Sequence, residues 1–133
     1  MNQIATIYRS AQFYAHMAHN IAKGQTFFQD HEFLGELYSA YEAAYDSIIE
    51  RMIGLGQNPD ISGITMDAAT MISDHDSNQS TQTCLSYLLS TEKSICAAIK
   101  EQVSKSSVGT QNLLQGLADE SEMRQYKLGQ RLK

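Results

Sequence analysis

Proline occurs once and cysteine twice in this chain of 133 residues, tryptophan is missing, and no stretch approaches the ~20 apolar residues of a membrane span. Each scarcity excludes something. The two cysteines, Cys84 and Cys96, are separated by a rise of about 18 Å along a helix, too far for a disulfide within it. Free thiols are what a reducing compartment gives, so a cytoplasmic protein is expected. The opening residues, MNQIATIYRSAQFYAHMAHN, lack a basic region followed by an unbroken apolar run, which argues against a signal segment and against membrane association. Basic residues are scattered singly and the net charge is -5, so the electrostatic footprint of a nucleic-acid binder is missing as well.

What is present is helical periodicity. Apolar residues recur at intervals of three and four, and alternating β-branched runs are few, which predicts an all-α fold in one domain, residues 1–133. Four long helices are predicted. The first covers about Asn2 to Lys23, with Ile4, Ile7, Ala11, Tyr14, Ala15, Ala18 and Ala22 on one face, and stops at Gly24. The second starts near Asp30, carries the stripe Leu34, Leu37, Tyr41, Ala44, Tyr45, Ile48, Met52 and Leu55, and ends at Gly56 before Asn58-Pro59-Asp60. A connection from Gln57 to about Asn78 follows, with a possible short helix over Thr65 to Ile72. Its length lets the second and third helices run parallel, the ferritin-like variant of the four-helix bundle. The third helix spans about Ser80 to Lys105 and the fourth about Thr110 to Leu132.

A polar ridge lies beside this core pattern. Taking His31 as zero on the second helix, Glu42 falls at about 20°, Asp46 at about 60° and Glu50 at about 100°, away from the apolar stripe at about 270°. On the first helix His19 borders the apolar face, one turn beyond His16. Imidazoles and carboxylates on adjacent antiparallel helices are donors suited to iron or manganese. An acidic ridge is also the ordinary solvated face of a helix, and spacing alone does not separate the two readings. Glu-x-x-His, the signature of a di-iron site enclosed in one bundle, does not occur.

The intervals among His19, Gly24, His31, Asp46, Glu50 and Arg51 decide between them, because in that order and spacing the sequence resembles the Dps family of mini-ferritins. The match runs through Phe27, the His31-Glu32 pair and Leu55-Gly56, and covers about residues 15 to 56 without a gap. The resemblance implies an iron site between two subunits related by a two-fold axis, with His19 and His31 from one chain and Asp46 and Glu50 from the other. It implies oxidation of Fe(II) by peroxide or dioxygen, storage of the ferric product, and a closed homo-oligomer, a two-fold dimer at least, with the family's dodecamer as the candidate assembly. Two positions depart from the pattern. An aspartate common in the family is Gly35 here, explained either by close helix packing or by loss of a ligand, and the tryptophan after the first histidine is Asn20. The lysine-rich tail behind DNA affinity in some members is absent.

Three other features carry both a chemical and a structural reading. Asp74-His75-Asp76 resembles a metal clip, but an N-cap of the third helix at Asp76, Ser77 or Asn78 is the favoured reading. Glu92 interrupts an apolar stripe and is expected to snorkel or to hydrogen-bond a tyrosine. Tyr38, Tyr41 and Tyr45 read as core and interface residues. Two functions follow from the sequence: an iron-oxidising mini-ferritin, or a non-catalytic scaffold of that fold binding a small molecule or partner protein in the groove between subunits.

Overall fold

The computed structural model describes all residues from Met1 to Lys133 as five helices: α1 Asn2–Ile21, α2 Phe27–Gly54, α3 Ile61–Ile72, α4 Thr81–Val103 and α5 Val108–Arg131. The four long ones form the expected ferritin-like bundle, and α3 is the short helix in the crossover. It starts earlier than its periodicity indicated, at Ile61, because Pro59 ends one segment while the Asp60 side chain caps the next, accepting from the Gly63 amide at 3.1 Å. Likewise α2 begins at Phe27 instead of near Asp30. The cap of α4 is Ser80, which accepts from Thr83 N at 3.1 Å, so the capping role expected of Asp76 to Asn78 is corrected. Asp76 instead closes a turn by accepting from Asn78 N at 2.8 Å.

Contacts between helix ends fix the direction of each helix. The Met1 amine donates to Gln102 Oε1 at 3.2 Å and Lys23 N to Thr81 Oγ1 at 3.2 Å, so α1 is antiparallel to α4. Gln12 Nε2 donates to Glu42 at 2.6 Å, so α2 returns antiparallel along α1. The turn between them uses Gly24 at φ 104°, a conformation in which a side chain would strain the backbone. It follows that α2 and α4 are parallel, which only a long crossover can achieve.

Packing follows the predicted stripes. Ala11, Ala15 and Ala18 are fully or almost fully buried and let α2 approach α1 closely, while Leu34, Leu37, Tyr41 and Ile48 fill the centre from α2. Leu55 is the exception, half exposed beyond the end of α2.

At the middle of the bundle the apolar stripe of α4 is broken by Glu92, which is fully buried. An unpaired carboxylate there would cost several kcal/mol. Its oxygens accept from Tyr41 Oη at 2.5 Å, Ser121 Oγ at 2.6 Å and Arg124 Nε at 2.6 Å. Burial pushes the Tyr41 phenol far above its ordinary pKa, and the adjacent Glu92 charge adds to that. Of the two sequence readings of Glu92, the tyrosine-bonded one is correct.

A second clasp joins the end of α5 to the first turn of α2. Arg131 Nε and Nη2 reach Asp30 Oδ1 and Oδ2 at 3.0 and 2.9 Å, and Thr26 Oγ1 donates to Asp30 Oδ2 at 2.7 Å. Burial by itself would raise the Asp30 pKa, but the hydrogen bonds from Arg131 and Thr26 and the guanidinium charge outweigh it and hold the carboxyl below its ordinary value.

Two outcomes test these interactions. Glu92→Gln, which removes the buried counter-charge of Arg124 and leaves it only the exposed Glu120 at 3.8 Å, is expected to lower stability by about 3–5 kcal/mol, and pairing Glu92→Leu with Arg124→Met should restore most of it. Denaturant midpoints measure both; a single variant as stable as the double one would contradict the account. Asp30→Asn should cost about 1–2 kcal/mol at neutral pH. A depressed pKa means that this stability is fully present above the unfolded aspartate value of about 3.9 and is lost as pH falls through the lower folded value. The gap between wild type and variant should therefore close in acid, and a gap independent of pH would refute the assignment.

Candidate metal centre

The antiparallel return of α2 along α1 brings His19, near the C-terminus of α1, against His31, in the second turn of α2. Their rings stack with centroids 3.7 Å apart and planes 19° apart. His19 Nδ1 lies 2.7 Å from the His31 carbonyl and His31 Nδ1 lies 2.9 Å from the His19 carbonyl. A carbonyl oxygen only accepts, so each Nδ1 carries the proton and donates. In the neutral imidazole the lone pair is then on Nε2, and neither Nε2 has a protein partner. Fixing the tautomer through an Nδ1–H···O=C bond is the usual way in which proteins orient a metal-binding histidine.

The reason these carbonyls are available is local. The His19 carbonyl belongs to the last turn of α1, where helix geometry leaves acceptors without an amide partner, and Lys23 N, which continued helix would have supplied, goes to Thr81 instead. His31 supplies the missing donor. The His31 carbonyl lies within α2 and is approached through the gap left by Gly35. A Cβ at Gly35 would lie 3.2 Å from His19 Cε1 and 3.3 Å from Nδ1, so the missing side chain makes room for the His19 ring. This is the close-packing explanation of Gly35, and it holds together with the loss of a carboxylate at that position. The glycine costs α2 about 1 kcal/mol of helix propensity.

The imidazole pair is part of a longer row of rings. Phe27 stacks on His31 at 4.9 Å; Tyr38 meets His19 edge-on at 5.4 Å; and His16, exposed, stacks on Tyr38 at 4.3 Å with 21° between planes. Sequence reasoning noted His16 and Tyr38 but did not connect them. The helix register connects them: on antiparallel helices the contact of Gln12 with Glu42 places residue 16 beside 38, and that register is not visible in the sequence.

Asp46 and Glu50 are exposed and lie on the same outer face of α2, but about 22 and 28 Å further along its axis than His31, fifteen and nineteen residues at about 1.5 Å each. One chain therefore brings together the two histidines and keeps the two carboxylates apart from them; no cluster of three or more metal-binding side chains forms within it. Glu42, between the two groups on the ridge, accepts from Gln12, whose amide oxygen is held in turn by Arg9 at 2.7 Å. Asn20 is exposed at the edge of the site.

The other metal candidate dissolves. His75 is packed edge-on against Tyr14 at 4.8 Å and Tyr87 at 4.4 Å, closing the crossover over the core. Both cysteines are free thiols, Cys84 buried and Cys96 half-buried.

Comparison with known proteins agrees with this architecture. The family model of the ferritin-like domain matches residues 1–133. The crystal structure of the DPS protein from Vibrio cholerae O1, described as a member of a broad superfamily of ferritin-like diiron-carboxylate proteins, matches with a TM-score of 0.72. Identity is 23%, and the alignment covers 99% of this chain and 86% of that one. A search of curated proteins gives no match. No helix is long and apolar enough to cross a membrane. With a helical bundle of ferritin topology and a family match along its whole length, this chain belongs to the ferritin-like domain family.

Proposed function

We infer that the chain is an iron-binding mini-ferritin of the Dps type. It binds Fe(II) at a site shared by two copies, with His19 and His31 from one and Asp46 and Glu50 from the other. There it oxidises the ion with peroxide or dioxygen, and the ferric product is sequestered in a closed homo-oligomer. The observation that carries this reading is the imidazole pair, held by reciprocal Nδ1 hydrogen bonds so that both Nε2 atoms are free to act as ligands. Neutral nitrogens with carboxylates are a donor set suited to iron.

Two further points support a shared site. The carboxylates lie on the outer face of α2, free of protein hydrogen bonds, where only a second molecule can approach them. In an antiparallel two-fold pairing the axis would cross α2 near residue 39, and His31 of each chain would face residues 46 to 50 of the other. The middle of the bundle offers no rival site, because its buried carboxylate, Glu92, is already committed to Tyr41, Ser121 and Arg124.

A mixing experiment tests the arrangement. Fe(II) with hydrogen peroxide should give a ferric absorbance that His31→Ala and Asp46→Ala each reduce at least about tenfold, the loss expected on removing one ligand. Co-refolding the two inactive variants in equal amounts should restore about one quarter of the wild-type rate, since half the dimers are mixed and each mixed dimer regains one intact site. No recovery on mixing would reject a shared site. Unimpaired oxidation in the single variants would reject these ligands, and metal-free protein that binds neither iron nor zinc would favour the non-catalytic scaffold.

A further inference from the structure

Away from the histidine pair, α1, α3 and α4 enclose a groove of about 710 Å³. The buried side chains of Ile7 and Ile64 give it an apolar floor. Ser10 opens into the same groove and is only 1% exposed, yet its hydroxyl has no hydrogen-bond partner in the protein. A serine or threonine inside a helix can turn its proton onto the carbonyl four residues back. The other hydroxyls of the groove do so: Thr6 donates to Asn2 O at 2.8 Å, Thr91 to Tyr87 O at 3.0 Å and Ser94 to Ser90 O at 3.2 Å. With their protons directed into the helices, these three oxygens offer lone pairs to the groove. Ser10 makes no such bond, and a buried hydroxyl without a partner is unfavourable.

The charges in the groove are of one sign. Asp60 and Asp67 line it from α3, neither forms an ion pair, and no lysine, arginine or histidine lines it. Seven residues separate the two carboxylates, about two helical turns, which puts them on one side of α3 and about 10 Å apart along its axis. A single metal ion cannot span that distance, because its ligands must lie within about 2.6 Å of it. Two positive charges joined by a flexible apolar spacer can. We propose that the groove binds a linear aliphatic polyamine, with one terminal ammonium at Asp60, the other at Asp67 and the methylene chain over Ile7 and Ile64. An ammonium group only donates hydrogen bonds, so it matches a wall of acceptors, whereas a neutral polyol would leave both carboxylates uncompensated. Asp60 Oδ1 accepts from the Gly63 amide at 3.1 Å, and its Oδ2 stays available. Tyr87, held by Tyr14 at 4.1 Å and His75 at 4.4 Å, also lines the groove, and an aromatic ring attracts a cation. The Ser10 oxygen accepts from an amine of the same chain, the partner it lacks within the protein.

Isothermal titration calorimetry of the intact protein with spermidine, a linear triamine, tests the proposal. One spermidine should bind per chain. Asp67→Asn should weaken binding at least about tenfold, the contribution of one charge-assisted hydrogen bond, and Ser10→Ala should weaken it by a smaller factor. Asp119→Asn, which removes a carboxylate on α5 outside the groove, should leave the affinity within about twofold, since distant surface charges are screened. Asp67 and Asp119 are both exposed, so neither substitution disturbs packing. In methyl NMR the Met71 signal, at the rim of the groove, should shift on titration while that of Met123 on α5 stays in place. Absence of binding overturns the proposal. So does an equal loss in Asp67→Asn and Asp119→Asn, displacement of spermidine by magnesium at matched charge, or a Met71 signal that does not move, each of which means diffuse attraction to an acidic protein. Iron oxidation enters none of these readings, so this inference and the proposed metal site stand or fall separately.

Discussion

Two imidazoles that each donate to the other's backbone carbonyl hold the α1–α2 hairpin end of this molecule in place. The interaction joins a helix end to the start of the next helix, and it meets three requirements at once. It gives the last turn of α1 a donor for a carbonyl that the helix cannot satisfy. It fixes the entry of α2 against α1 at the hairpin. It also selects the tautomer that leaves Nε2 of both rings for a ligand. Gly35 belongs to the same device, since a side chain there would crowd the His19 ring. A residue that reads as a defect in a helix and as a lost ligand is, in three dimensions, the space into which an imidazole fits.

The rest of the bundle keeps that end rigid. The Arg131–Asp30 fork fastens the end of α5 to the residue preceding His31, and Thr81 fastens the start of α4 to the residue preceding Gly24. The Glu92 network lies deeper, tying α2, α4 and α5 together through one carboxylate. Buried ion pairs of this kind add little net stability compared with apolar packing, but they tolerate only one arrangement of their partners. Here they define how α5 sits against α4 and α2, where the predicted apolar stripe of α5 was thinnest.

Much of this was legible in advance because it depends on local periodicity. The stripes of α1 and α2 matched the buried residues almost completely, with Leu55 as the exception since it lies beyond the last turn. The parallel course of α2 and α4 followed from the length of the crossover. Local capping was less legible: several hydroxyl and carboxylate residues precede α4, and only the path of the chain chose Ser80 over Asp76. The Asp30–Arg131 clasp gave no sequence signal, because a contact between residues a hundred positions apart has no period.

The sequence by itself determined the helices, their order and the set of donor side chains, since each depends on spacing along one chain at 3.6 residues per turn. Only the tertiary structure decided which donors meet. It brought His19 and His31 into contact, left Asp46 and Glu50 on an outer face far along the same helix, and committed Glu92 to the core. The physical reason is that a helix fixes the direction and height of each side chain along its own axis, whereas contact between two helices depends on their relative register. That register is set by distant packing, by the turn at Gly24 and by the hydrogen bonds that close across it.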